Sequence, residues 1–177
     1  MAGKNSWLEA GLKILGAAGP TGLTLDKLVA ETGLSTGSFY HHFAGMDGYK
    51  RALLAHFEEV YTSRYIREVD AADTGVSARE RVDLLTELVL ADDHTADLEL
   101  AIRAWALDEP LAAAAKERVD GQRLAFLRSL LAASGRTPRA AADLADLLYL
   151  TLLGAGHVLP TVPPERVREL FEAILRE

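Results

Sequence analysis

The chain has 177 residues, 49% hydrophobic and 25% charged, with 14 Gly, 6 Pro and no Cys. These proportions are those of an ordinary folded protein and exclude a disordered chain, a disulfide scaffold, a thiol nucleophile and a cysteine-bound zinc. A net charge of −7 opposes a nucleic-acid partner at first sight, but it is uneven: residues 1–67 hold seven basic and six acidic groups, residues 68–177 twelve and twenty.

Apolar residues recur at helical spacing almost throughout, and no period-two run rich in Val, Ile and Thr lies between turn signals, so the pattern predicts an all-α protein of about nine helices. The opening MAGKNSWLEAG has no apolar run behind its basic residue and does not read as a secretory signal. The first helix carries Leu8, Leu12 and Leu15 with Gly11 on one stripe, and Gly19-Pro20 ends it. A very short helix follows, capped by Thr24, with Asp26 at its positive end, Leu25, Leu28 and Val29 facing inward and Gly33 as its stop. Ser35 caps another short element, Thr36 to Phe43, which turns Phe39 and Phe43 to one side. A longer connecting helix is expected over about 46–67, with Leu53, Leu54, Phe57, Val60, Tyr61 and Tyr65 as its apolar positions. Asp73-Thr74-Gly75 marks a loop, and further helices are expected at roughly 77–91, 95–108, 110–133, 138–156 and 163–176. The longest uncharged stretch, Leu147 to Pro164, is broken by Gly154, Gly156, Pro160, Pro163 and Pro164 before the ~20 apolar residues of a membrane span. No membrane partner and a cytoplasmic location are therefore expected.

Leu23 to Phe43 has the form of a helix-turn-helix: helix, Gly-containing turn, then a second helix with small polar residues at its front. Such a helix fits the major groove of B-DNA when its partner braces it, and small residues let it approach bases and phosphates closely. The string T-L-D-K-L-V-A-E-T-G-L-S-T-G-S-F-Y-H-H-F closely resembles the N-terminal signature of the tetracycline-repressor (TetR) family of bacterial transcriptional regulators, over about the first 55 residues. The resemblance implies a three-helix DNA-binding head (residues 1–47) and an effector-binding and dimerising body (residues 48–177, entered through the connecting helix).

It places Ser35, Thr36, Gly37 and Ser38 at the front of the recognition helix, directs Tyr40 and His42 to the DNA backbone, and matches Thr24 to a phosphate-contacting helix start, with Lys27 and Lys4 as looser candidates. Hydroxyl, phenol and imidazole groups donate to phosphate oxygens, and Gly37 permits close approach. Phe39 and Phe43 read as core. One departure matters: where the family usually has a phosphate-binding Lys at the start of the fourth helix, this chain has Met46 followed by Asp47. Val29 also stands in place of a usual Ala. A near-neutral head without that Lys releases few counterions, so modest DNA affinity and a shallow salt slope are expected, with dimerisation supplying much of the affinity.

The body offers Tyr61, Tyr65, Leu88, Ile102, Trp105, Phe126, Leu148, Tyr149 and Thr151 for a largely apolar effector pocket, with Arg103 as a polar handle; plain core packing accounts for each of them as well. Glu99 and Arg103, and Asp120 and Arg123, are spaced for surface ion pairs within their helices, and a pairing of Arg103 with Asp120 across two helices is the rarer alternative. The last two helices carry Leu144, Leu148, Thr151, Leu152 and Ala155, and Val167, Leu170, Phe171 and Ile174; the resemblance makes these candidates for an isologous four-helix dimer interface, an intramolecular core stripe being the alternative. Asp92-Asp93-His94 and His41-His42 look like metal ligands only superficially, and no cofactor, metal or catalytic site is expected. The reading that results is a homodimeric regulator, a repressor released from double-stranded operator DNA by a small-molecule effector. The alternative is an effector-binding or protein-interaction bundle whose head no longer reads DNA.

Overall fold

A computed structural model describes residues 2–72, 75–91 and 95–176. Asp73-Thr74 of the expected loop and the Asp92-Asp93-His94 group lie outside the described residues. The described residues form helices and turns only, in the order α1 (Ala2–Ala18), a 3-10 turn (Pro20–Gly22), α2 (Leu25–Thr32), α3 (Thr36–His42), α4 (Gly45–Glu58), a π-helical turn (Glu59–Ser63), α5 (Arg64–Asp70), α6 (Ala78–Leu90), α7 (Thr95–Trp105), α8 (Pro110–Ala133), α9 (Pro138–His157) and α10 (Pro164–Leu175). The expected connecting helix is thus α4 and α5 joined through the π turn. No described helix is long and apolar enough to cross a membrane.

Several helix starts are set by side-chain caps. Thr24 and Ser35 cap α2 and α3, as the sequence pattern expects, and Thr137 caps α9 by accepting from the Ala140 N–H. Ser77 and Glu80 close a reciprocal capping box at the start of α6. The first helix begins at Ala2, ahead of its apolar stripe; residues 2–6 contain no proline, and a helix propagates cheaply once that stripe is packed.

The chain divides into two compact units, residues 1–60 with 94–118, and residues 61–93 with 119–177. In the first, α1 is the hub, packing on α2, α3, α4 and α7. Its core is aromatic: Trp7, Phe39 and Tyr49 are fully buried, with Phe43 and Phe57 nearly so. The Trp7 and Phe39 rings meet edge to face at 5.4 Å, and Phe39 also touches the rings of Phe43 and Tyr49. Tyr49 Oη donates to the carbonyl of Trp7 at 2.8 Å, and burial holds its phenol well above the usual range. This hydroxyl passes directly over Gly11, where a Cβ would lie 1.8 Å from it; only glycine admits the contact. Gly16 likewise brings α1 close to the backbone of Leu98 on α7.

The second unit has an aliphatic core rich in small residues, with Val69, Val82, Leu130, Leu131, Ala141, Ala145, Leu148, Ala155, Val167, Phe171 and Leu175 buried together. Within it α5 packs on α6 and α9 on α10. Arg168 spans from α10 to Glu87 on α6 with two nitrogens, at 2.7 and 3.0 Å. Its hydrogen bond holds the Glu87 carboxyl below the usual range.

Candidate nucleic-acid interface

The helix-turn-helix is built by caps on either side of a tight turn. Thr24 accepts from the Lys27 N–H at 3.3 Å to start α2, and Gly33, in the left-handed conformation at φ 68°, returns its own N–H to Val29 to end it. Two residues later the Ser35 hydroxyl accepts from the Ser38 N–H at 3.2 Å, so that α3 starts at once. Seven residues are too few to hold a helix alone. Burial of Phe39 against Trp7 and Tyr49 fixes α3 to the rest of its unit and decides which side faces outward.

That outward side carries most of the residues expected from the sequence. Thr24, Lys27, Ser35, Thr36 and Gly37 are exposed, and so is Tyr40 at 62%. Ser38 and His42 are half-buried. Trp7 Nε1 donates to Ser38 Oγ at 3.5 Å, and His42 packs beside Gly3, whose added Cβ would sit 3.1 Å from Nε2. Both side chains are therefore oriented by α1. Lys4 lies with its ammonium 6.0 Å from the Phe43 ring, at the far end of α3. Met46 is half-buried in the first turn of α4 and Asp47 is exposed. Lys50, one turn on, is directed to Glu109 at 3.4 Å and over the Trp105 ring, away from this surface. His41, which sequence reasoning left aside after weighing it as a metal ligand, is exposed.

The expected effector residues fall into both units. Ile102 and Trp105 are buried and Arg103 half-buried in the first. Arg103 pairs with Glu99 at 3.1 Å, and Lys116 joins the same carboxylate with its ammonium over the Phe57 ring. Glu99 and Lys116 are both buried, so the Glu99–Arg103 pair expected at the surface is part of an interior ionic cluster. In the second unit Tyr65, Leu148 and Tyr149 are buried and Tyr61, Leu88, Phe126 and Thr151 half-buried.

There Tyr149 Oη donates to Asp120 Oδ1 at 2.6 Å, while Arg123 donates to the Tyr149 oxygen at 3.5 Å, to Thr62 Oγ1 at 2.9 Å and to the Tyr61 carbonyl at 3.2 Å. Arg123 thereby clamps the π turn. Burial raises the Tyr149 phenol to about 12, the Asp120 hydrogen bond adding to that and the Arg123 charge opposing it. A separate cavity of about 160 Å³ between α6 and α10 is lined by Arg79, Asp83, Thr86, Glu87, Arg168, Phe171, Glu172 and Leu175; it shares no residue with the expected pocket.

Of the expected dimer residues, Leu148, Ala155, Val167 and Phe171 lie in the core of their own unit, whereas Leu144, Thr151, Leu152, Leu170 and Ile174 are part-exposed. Leu147 and Leu150 are exposed at 52% and 64% on α9.

The family model for bacterial regulatory proteins of the tetR family matches residues 8–57, the segment that holds the braced helix-turn-helix. Residues 8–57 are thus similar to the DNA-binding head of the tetR family. No curated protein matches. Among solved structures, a transcriptional regulator of the TetR/AcrR family is similar at a TM-score of 0.83 and 20% identity, with 98% of each chain covered. A transcriptional regulator from Pseudomonas aeruginosa PAO1 is 26% identical at a TM-score of 0.71, covering 98% of this chain and 88% of its own. A regulator from Saccharomonospora viridis, solved in complex with choline, has a TM-score of 0.81 at 16% identity, covering 98% of this chain and 95% of its own. The tetR fold therefore extends through the body, beyond the reach of the family model.

Proposed function

We propose that this chain is a homodimeric repressor of the tetR family that leaves its operator when a small organic effector binds the body. The observation that carries the reading is the fixed attitude of α3: Phe39 is locked into the aromatic core while Thr36, Gly37 and Tyr40 stay open to solvent. Residues 1–47 read DNA in this proposal, and residues 48–177 bind effector and dimerise. The effector shifts the population toward a body conformation whose two heads are wrongly spaced for successive major grooves.

An α9 face supports the dimer. Leu147, Leu150, Gly154 and Val158 follow one another at helical spacing and are all exposed, and nothing lies within 4 Å of a Cβ added at Gly154. A two-fold copy would cover this stripe, with Leu144, Thr151, Leu152, Leu170 and Ile174 at its margin. For the effector, the Tyr149–Asp120–Arg123 cluster supplies polar handles beside half-buried Tyr61 and Phe126. Twelve basic against twenty acidic groups in residues 68–177 favour a neutral or cationic molecule over an anion. The choline held by the Saccharomonospora viridis regulator fits that preference.

Met46 and Asp47, where a phosphate-binding Lys is usual in the family, favour a second reading, a helical bundle whose head has lost useful DNA affinity. Binding of the purified protein to duplex DNA from immediately upstream of its gene, against a scrambled duplex and over a salt series, separates the two. The repressor reading expects preference for the upstream duplex, a shallow salt slope, and weakening by Tyr40→Phe and His42→Ala. Equal, feeble binding of both duplexes even at low salt, together with failure to enrich any sequence from genomic fragments, leaves only the second reading.

A further inference from the structure

Gly37 is costly where it stands. It lies in the first turn of α3, and a helical glycine gives up as much as roughly 1 kcal/mol against alanine. Its backbone does not require glycine, because its φ lies outside the left-handed range. Packing does not require it either: an added Cβ would meet only the Ser35 hydroxyl, at an ordinary 3.8 Å. The molecule itself has no use for the missing side chain, so the use is external.

The phase of the helix shows where. At about 100° per residue, Gly37 and His41 lie two residues either side of buried Phe39 and so share the side of α3 opposite the core. They are one turn apart; the His41 ring rests 5.0 Å from that of His42, and no His41 side-chain atom comes within 4 Å of a Cβ added at Gly37, so the backbone of Gly37 is left open on the same side. The flanks of this ridge are occupied differently. Tyr40 is set edge-on against Phe39 at 5.5 Å, on one side with Thr36; Ser38 and His42 are held on the other by Trp7 and Gly3. A helix seated in a groove meets a phosphate strand with each flank and base edges with its central ridge.

The geometry points to His41 as the side chain that reads a base in the major groove, with Gly37 left bare so that the ridge can sink to the base edges. An imidazole N–H in either tautomer can donate to the N7 and O6 acceptors of guanine, an edge that offers no competing donor. The assignment rests on the DNA-reading function of the head and adds to it a residue and a base.

The test is selection from a random-sequence duplex pool with the full-length protein and its His41→Ala, His41→Gln and Gly37→Ala variants, each checked for wild-type helicity by circular dichroism. Wild-type protein should enrich a two-fold motif with one guanine per half-site that His41→Ala ceases to require. The variant should lose roughly tenfold on the selected duplex and nothing on a scrambled one. His41→Gln should prefer adenine at that position, since a carboxamide pairs with the N6 and N7 of adenine. Gly37→Ala should melt higher than wild type and bind the selected duplex more weakly, a reversal that a purely structural glycine would not give. If His41→Ala and His41→Gln enrich the wild-type motif unchanged, or if His41→Ala weakens selected and scrambled duplexes alike, His41 is not a base reader. If the wild-type protein enriches nothing, the DNA-reading function fails and the assignment with it.

Discussion

The two units of this molecule solve the same packing problem with different materials. In the first, Trp7, Phe39, Phe43, Tyr49 and Phe57 form a core of interlocking rings, and one phenol threads over a glycine with no room for a methyl group. In the second, alanines and aliphatic residues let helices approach without a unique fit. Rings have preferred edge-to-face geometries and few rotamers, so they hold a seven-residue helix at a fixed angle, whereas aliphatic cores tolerate exchange at constant volume. The lesson is that shape is specified most tightly around the helix-turn-helix and left more permissive elsewhere. It also accounts for the family model matching residues 8–57 while full-length likeness to solved structures persists at 16–26% identity.

The contrast breaks most readily at Gly11. Gly11→Ala drives a methyl group into the buried Tyr49 hydroxyl and is expected to cost at least about 3 kcal/mol in urea unfolding. In a Tyr49→Phe background the same change should cost clearly less, because the nearest obstructing atom is gone; equal costs would show that the close approach is not what constrains the head. Next comes Phe39→Leu, about 2 kcal/mol from lost ring contacts and the cavity left behind. It should also lower DNA affinity, since the fully buried Phe39 ring is the main anchor of α3.

An alkaline titration compares the units through their buried phenols. The Tyr149 phenol is raised from 10.0 to about 12, so its contribution to stability is complete below pH 10 and is lost as pH rises through 12. The full loss is on the order of 2 to 3 kcal/mol. Tyr149→Phe should remove that part of the alkaline decline, and phenolate absorbance should place its ionisation near 12, before that of the more strongly raised Tyr49. Leu148→Met in the second unit is expected to cost under about 1 kcal/mol; a cost matching Phe39→Leu would erase the distinction between the cores. Smallest of all is Arg168→Ala. It frees the exposed Glu87 to titrate in its ordinary range, so the small stabilisation present above that range and lost as pH falls disappears, with no measurable change in melting temperature at neutral pH.

What the sequence showed follows from the range of each interaction. Helices with an apolar stripe and a local cap were legible: Thr24, Gly33 and Ser35 act within a few residues of themselves. The π turn was not, because it is held by Arg123, 61 residues beyond Thr62. Burial of Glu99 and Lys116 was hidden for a similar reason: charged residues are read as solvated until a partner on another helix is known. In the candidate site, the open positions of α3 were recognised from small polar residues, a chemical signal that passes over His41. Its importance is a matter of phase relative to Phe39. On α9 the apolar stripe was visible, but which leucines turn inward and which stay exposed depends on the helices packed against it.

The paired caps of α2 and α3, with Phe39 anchored between them, bear on the thermodynamics of association. A DNA duplex meets a reading helix that is already formed, so little chain ordering accompanies binding. The heat-capacity change on binding, measured by calorimetry over a temperature range, should then match the apolar surface that the duplex covers, without the larger negative contribution of a segment that folds as it binds.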